Sequence, residues 1–267
     1  MNIGFIGGGT MGEALIKSII ARGIAAPSDI TVSDISEKRR DILKKSYGVN
    51  TTASNAEAAK KAEVVVLAVK PQDVPTVLTD LKGSAEQLVL SIAAGVTLET
   101  LHKGLNHNRL VRAMPNMPAQ ISEGMTVWTT STDVNQKQKE MAKSILSAAG
   151  EELYVNNEKY IDMATAVSGS GPAYIFLIIE ALTDAGVHIG LSRDIAEKLV
   201  IQTVIGSAKA VKTTGKHPAE LKNMVTSPGG TTTEGLLQLE TGGLRSLLLR
   251  AVIAAFEKAK NLGAKKD

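Results

Sequence analysis

Two stretches of this 267-residue chain have residue types and spacings suited to chemistry. The first is Gly7-Gly8-Gly9-Thr10-Met11-Gly12, placed directly after Asn2-Ile3-Gly4-Phe5-Ile6. A run with Ala14, Leu15, Ile16, Ile19 and Ile20 at helical spacing follows it. Buried strand, G-x-G-x-x-G turn and helix, in that order, make the dinucleotide fingerprint in its required context. Gly7 allows the tight turn, Gly9 lets backbone approach a pyrophosphate, and Gly12 lets helix and strand pack closely. The flanks, more than the glycines, make the reading specific.

The second stretch is Ser227-Pro228-Gly229-Gly230-Thr231-Thr232-Thr233. Pro228 and the two glycines stop a preceding helix, and the threonines are N-cap candidates for a new one carrying Leu236, Leu237 and Leu239. A helix start leaves backbone N–H groups without intrahelical partners, which favours an anion. Nothing in the turn is charged, so backbone dipoles and hydroxyls would have to do the holding. Taken alone, the turn reads first as a connector between two helices of a bundle and second as an anion site.

The elements that must position these stretches fall into two classes. A second strand at 29–33 ends in Ser33-Asp34, with Asp34 22 positions beyond Gly12, near the ~20 expected for the residue that meets the adenosine ribose. A carboxylate there accepts from a ribose 2′-OH and repels a 2′-phosphate, whereas Ser33, Ser36, Lys38 and Arg39 in the same loop suit a phosphate. Ser54-Asn55-Ala56-Glu57 has the form of a capping box. The run 63–69 is short and β-branched, a central parallel strand ending in Lys70-Pro71 where open α/β sheets bind ligands. Residues 88–93 form another, closing in Ala94-Gly95, small enough for a flat ring to lie close. After 109–114 come Pro115-Asn116-Met117-Pro118, an extended turn. Strands at 124–130 and 151–155 bracket a helix at 135–148. This is a doubly wound α/β Rossmann domain over residues 1–157.

From 158 to 267 strand signals vanish and an all-α domain is expected. Helical spacing at 161–167 is interrupted by Ser168-Gly169-Ser170-Gly171-Pro172, and a helix resumes at 174–185. That helix is apolar nearly all round and must be buried on all sides. Ser192 caps a helix reaching about 212, His217-Pro218 opens a short one to 225, and the last spans about 243–262. So thin a domain buries its apolar surface most economically against a second copy, which gives a homodimer.

Composition narrows the classes further. Apolar residues make up 43% and charged residues 21%, with a net charge of +3, the profile of a soluble globular protein. Aromatics at 3% argue against a base-stacking nucleic-acid platform. The chain has no cysteine, so disulfides and thiolate chemistry are excluded, and its four histidines show no metal-ligand spacing. No basic segment precedes an apolar one at the N-terminus, and the apolar runs near 173–179 and 247–256 are short or broken by Glu180 and Arg250. A cytoplasmic protein with no membrane span and no metal is expected.

The chain resembles the pyrroline-5-carboxylate reductases over essentially its whole length. The resemblance rests on the glycine loop, Ala68-Val69-Lys70-Pro71, Ala93-Ala94-Gly95, Met114-Pro115-Asn116-Met117-Pro118, Ser168-Gly169-Ser170-Gly171-Pro172 and, most specifically, 221–240. It implies a Rossmann domain followed by a helical dimerisation domain, a homodimer often assembled into a decamer, and one subunit's 221–240 loop facing the other subunit's nicotinamide. It implies reduction of 1-pyrroline-5-carboxylate to L-proline, the last step of proline synthesis, by hydride transfer from NADPH or NADH. Carried over by position, the dinucleotide would meet Gly7, Gly9, Thr10, Met11, Gly12, Ser33, Asp34, Asn55, Ala68, Val69, Lys70 and Pro71. Asn55 would touch the adenosine ribose, with Ala94 and Asn116 near the nicotinamide. Gly230, Thr231 and Thr232 would hold the substrate carboxylate, with the Thr232 hydroxyl on the ring nitrogen. Many members end the second strand in Asn-Arg or Ser-Pro and prefer NADPH. Ser33-Asp34 departs from that and leans toward NADH.

Two other readings compete. The β-hydroxyacid dehydrogenases open with a similar loop and use a general-base lysine on a later helix; Lys198, Lys209 and Lys212 are present here without that family's surrounding Gly and Asn pattern. A non-catalytic nicotinamide sensor would keep the glycine loop but degrade the second turn, which is intact.

Overall fold

In the computed structural model, which describes residues 1–83 and 87–263, Ile3–Ile6 form β1 with every residue buried. The chain then runs through α1 (Thr10–Ala21), β2 (Ile30–Ser33), α2 (Glu37–Tyr47), β3 (Asn50–Thr52) and α3 (Asn55–Ala59). It continues through β4 (Val64–Leu67), α4 (Val74–Asp80), β5 (Leu88–Ser91), α5 (Leu98–Leu105) and β6 (Leu110–Met114). The last strands are β7 (Gly124–Thr130) and β8 (Gly150–Tyr154), with α6 (Gln136–Ser147) between them.

The eight strands lie in the order β3-β2-β1-β4-β5-β6-β7-β8. All neighbours pair parallel except β6 with β7. Chain order reverses direction at β1, which has β2 on one side and β4 on the other, so the topological switch point lies at the ends of β1 and β4. Because strand side chains alternate, the sheet feeds two cores. Ile3, Phe5, Val64, Val66 and Leu90 pack with Leu15, Ile16 and Ile19 of α1 and Ile145 and Leu146 of α6. Ile6, Val65, Leu67 and Val89 pack with Val77 and Leu78 of α4 and Leu101 and Leu105 of α5. Helices cover both faces, which is why β1, β4 and β5 read as unbroken apolar runs. Truncating a side chain such as Leu15 to Ala here costs roughly 2–5 kcal/mol.

Several local expectations change. Ser54 caps α3 by accepting the Glu57 N–H at 3.3 Å, but the Glu57 carboxylate takes the Thr52 hydroxyl in place of the Ser54 N–H. The Ser54 N–H goes to the Thr52 oxygen at 3.1 Å, so the expected box is half made. The reciprocal box is formed by Asn135 and Gln138 at the head of α6. After Asn116 the chain does not stay extended, because Pro118 opens a 3-10 turn at Met117–Ile121. Ser192 occupies the N-cap position of its helix without a side-chain bond to it.

The Ser168–Pro172 segment does not break its helix. α7 (Lys159–Ala164) passes through a π-helical turn, Thr165–Gly169, into α8 (Gly171–His188). The Ser170 N–H reaches back five residues to the Thr165 carbonyl at 2.8 Å. Lys159–His188 is thereby one helical run of 30 residues, long and apolar enough by length and composition to cross a membrane, which corrects the reading of a run cut short at Glu180. Arg112 on β6, buried, anchors the start of this run: its guanidinium meets Glu158 Oε1 at 2.9 Å and Asp162 Oδ1 at 2.6 Å.

The chain divides into two compact units, Met1–Ser170 together with the residues from Ala255 onward, and Gly171–Ala254. The second is entirely helical, with α8, α9 (Arg193–Thr214), α10 (Pro218–Met224), α11 (Thr231–Thr241) and α12 (Leu244–Gly263), whose last turns belong to the first unit. The expectation that the apolar α8 is buried on all sides does not hold within the single chain: only its Thr183 is buried, and Leu177 is 65% exposed. Ile195, Leu199, Leu237, Leu249 and Ile253 are exposed in the same way.

Candidate active site

The glycine loop begins where β1 ends. Gly7 has φ +96°, and a Cβ on it would come within 2.8 Å of the Ala68 carbonyl oxygen and of Val69 Cγ1. A Cβ on Gly12 would come within 2.7 Å of the Gly7 carbonyl oxygen. A Cβ on Gly9 would meet nothing within 4 Å. The first and third glycines therefore permit close packing inside the protein, and the middle one leaves open ground at the head of α1. That is the division of labour a pyrophosphate at a helix N-terminus needs. Thr10 and Met11 form the first residues of α1, with Thr10 exposed.

Around the loop the carboxyl ends of β1, β2 and β4 are bonded together. The Gly7 N–H donates to the Ser33 carbonyl and the Ala68 N–H to the Ile6 carbonyl, both at 2.8 Å. The Ser33 hydroxyl is buried and donates to Asn55 Oδ1 at 2.7 Å, so it is not free to face a phosphate. Asn55 in turn donates to Asp80 Oδ2 at 2.8 Å, which fixes its amide at the start of α3. Asp34 accepts two backbone N–H groups, Gly8 on Oδ2 and Ser36 on Oδ1, each at 2.9 Å. Ala68 and Val69 are half-buried against the glycine loop, and Lys70, exposed, precedes Pro71 at the start of a 3-10 turn. Ala94 is half-buried, and its neighbour Gly95 lies against the backbone of Leu262. Asn116 accepts the Met125 N–H at 2.8 Å and donates to the Ser168 carbonyl at 3.0 Å, tying the sheet to the π-turn.

Sequence reasoning missed a cluster beside the loop. The Arg39 guanidinium donates through Nε to the Gly8 carbonyl and through a terminal nitrogen to Glu13. The Tyr47 hydroxyl donates to the other Glu13 oxygen at 2.8 Å. Burial pushes the Glu13 carboxyl up, but hydrogen bonds from Arg39 and Tyr47 and the nearby positive charges outweigh it and leave the group below the usual carboxylate range. Burial and the bond to Glu13 raise the Tyr47 phenol. The only sequence signals were a carboxylate in the first turn of α1, which the helix dipole also explains, and a basic start to α2, which the dipole opposes.

In the helical unit, the turn after α10 differs from expectation in one detail. The cap of α11 is Gly230, and Thr231, Thr232 and Thr233 all lie inside its first turn. The Thr233 hydroxyl donates to the Ser227 carbonyl at 2.8 Å, and the Gly230 N–H takes the same acceptor at 3.0 Å. Gly230 therefore has no N–H to offer an anion. Among the described residues, the N–H groups of Gly229, Thr231 and Thr232 and the Thr232 hydroxyl make no hydrogen bond. Thr232 is half-buried while Thr231 is exposed. The described residues hold no cluster of three or more His, Asp or Glu side chains placed for a metal.

A glycine loop at the switch point of the sheet and a neutral donor cluster at a helix head can be set beside known proteins. Residues 2–95 match the family described as NADP oxidoreductase, coenzyme F420-dependent, and residues 158–262 match pyrroline-5-carboxylate reductase dimerisation. A pyrroline-5-carboxylate reductase of Synechocystis is 47% identical over 266 residues, covering 99% of each chain. The solved structure of a pyrroline-5-carboxylate reductase from Coxiella burnetii superposes with a TM-score of 0.91 at 42% identity, covering 99% of both chains. That of the Plasmodium falciparum pyrroline carboxylate reductase, with NADP bound, gives 0.90 at 35% identity, covering 99% of this chain and 98% of that one. The relationship runs the full length of the chain, across the glycine loop, the helical half and the Ser-Pro-Gly-Gly turn alike, and the chain belongs to the pyrroline-5-carboxylate reductase family.

Proposed function

We propose that this chain reduces 1-pyrroline-5-carboxylate to L-proline with NADPH or NADH, closing proline biosynthesis. The observation that carries the reading is the donor cluster at the head of α11, three backbone N–H groups and one hydroxyl with no partner among the described residues. The Gly229, Thr231 and Thr232 N–H groups offer a carboxylate neutral donors reinforced by the helix dipole. The Thr232 hydroxyl then takes the ring nitrogen, orienting the imine and keeping its proton in place. The glycine loop of the first unit holds the dinucleotide, with Gly9 leaving room for the pyrophosphate. When bound, a reduced nicotinamide supplies the hydride, which adds to the C=N carbon while the nitrogen keeps the proton and becomes an amine. A protonated cyclic imine accepts hydride readily, so no strong buried acid is required of the protein.

The division of labour we infer assigns dinucleotide binding to residues 1–157 and substrate binding and dimerisation to 158–267. The exposed apolar side chains of α8, α9, α11 and α12 support a homodimer, since a second copy would cover them. We read the long helix Lys159–His188 as an interface element of a cytoplasmic enzyme and expect further assembly into a decamer, as the family resemblance implies. Mixing the protein with 1-pyrroline-5-carboxylate and either NADPH or NADH tests the activity. Substrate-dependent loss of nicotinamide absorbance is expected, and no loss with either cofactor removes the reading.

A further inference from the structure

The Gly8 peptide is held from both sides by the segment that follows β2. Its N–H is bonded by Asp34 at 2.9 Å and its carbonyl by the Arg39 Nε. In a fold of this kind the end of β2 is where a ribose 2′-hydroxyl or 2′-phosphate is met, and an arginine near it is the usual phosphate partner. Arg39 stands in that place, but its charge is already matched, because Glu13 on α1 forms an ion pair with it. Glu13 is itself fixed by the Tyr47 hydroxyl, so both carboxylate oxygens are engaged. The other groups of the segment are weaker candidates. The Ser33 hydroxyl is buried on Asn55, Ser36 caps α2, Arg40 bonds the Asp34 carbonyl, and Lys38 is an exposed point charge.

We propose that Glu13 sets the choice between the two cofactors, by holding Arg39 as a neutral pair on the glycine loop and so withholding its charge from a 2′-phosphate. Asp34 is the residue whose sequence position suggests cofactor choice. Its carboxylate, however, is bonded to the two turns it joins, while the Glu13–Arg39 pair is the arrangement that a change of one charge would unbalance. A dianionic phosphate competing for Arg39 must displace or share it with Glu13, whereas a bare ribose hydroxyl makes no such demand. Neutralising Glu13 leaves the Arg39 guanidinium beside the loop through its Gly8 bond, with its charge open to the phosphate.

The inference rests on the reading of Gly7–Gly12 as a dinucleotide loop, and the test separates the two. Binding of adenosine 2′,5′-bisphosphate and of adenosine 5′-monophosphate, which differ only in the 2′-phosphate, is measured by calorimetry on wild type and on Glu13→Gln. The bisphosphate is expected to bind the variant about tenfold more tightly, the size of one charge-assisted contact, with the monophosphate unchanged within about twofold. A double variant, Glu13→Gln with Arg39→Gln, should lose the gain. An unmoved ratio, a fall in bisphosphate affinity, or a gain that survives the double variant overturns the proposal. Should Glu13→Gln not fold by circular dichroism, Glu13→Ala, a good helix former at the same place, carries the same expectation. If neither NAD+ nor NADP+ binds wild type, the loop reading falls and takes the inference with it. If both bind and the ratio is unmoved, only the inference falls.

Discussion

Asp34 Oδ2 accepts the Gly8 N–H at 2.9 Å, so the side chain that closes β2 is bonded to the loop that closes β1. With Ser36 on its other oxygen, the carboxylate ties together the turns that follow β1 and β2, where we propose that the ribose lies. An amide in its place offers a single acceptor oxygen and sets an NH2 group against a backbone N–H. Asp34→Asn should therefore weaken NADH and NADPH alike, by about tenfold, and lower stability by about 1–2 kcal/mol. Calorimetry and thermal unfolding check this. A variant that loses NADH but gains NADPH would show that Asp34 acts only on the ribose.

The two glycines at positions 7 and 9 separate architecture from ligand. Gly7→Ala forces a Cβ into the Ala68 carbonyl at φ +96°, so the loop and the protein's stability should suffer together, by about 1–3 kcal/mol. Gly9→Ala adds a methyl to open space at φ −63°, so the melting temperature should hold while dinucleotide affinity falls tenfold or more. Equal damage from both would mean that Gly9 is structural.

Thr232 presents the hydroxyl without a partner in the first turn of α11. Thr232→Ala should leave dinucleotide affinity intact and lower turnover roughly 100-fold, while Thr232→Ser, which keeps the oxygen, should recover most of it. Steady-state kinetics paired with dinucleotide titration decide it. Unchanged turnover in the alanine variant removes Thr232 from the reaction.

Leu177 on α8 is 65% exposed in the single chain, one of several large apolar side chains that a second copy would cover. Leu177→Glu should convert a dimer in sedimentation to a monomer, because a carboxylate buried in an apolar interface costs several kcal/mol. A variant that remains dimeric would place the interface elsewhere.

Reading from sequence worked where a residue's role depends on its neighbours in the chain. The strand–turn–helix around Gly7, Gly9 and Gly12, with close packing at the first and third, could be read from their spacing, as could the buried strands β4 and β5. It failed where a residue's partner comes from far along the chain. Glu13 looked like a helix-dipole carboxylate, but Arg39 and Tyr47, 26 and 34 positions on, make it part of the loop's support. Asn116 stood beside two prolines, and its partner Ser168 is 52 positions away. Ser168-Gly169-Ser170-Gly171-Pro172 has every local mark of a break, yet one π-turn carries the helix through it, and the Ser168 carbonyl, to which Pro172 has no N–H to offer, accepts the Asn116 amide instead. At the second turn one of the expected donors is already engaged, since the Gly230 N–H closes the turn on the Ser227 carbonyl, while the Gly229 N–H makes no hydrogen bond among the described residues.

The proposed transfer of hydride from a nicotinamide to the imine carbon is tested directly by a labelled cofactor. With NADPH or NADH deuterated on the transferable C4 position, one deuterium should appear in the L-proline formed, on the ring carbon across the nitrogen from the carboxylate-bearing carbon. Mass spectrometry with fragment analysis reads its place. Proline without deuterium, or with deuterium at another carbon, would contradict the account.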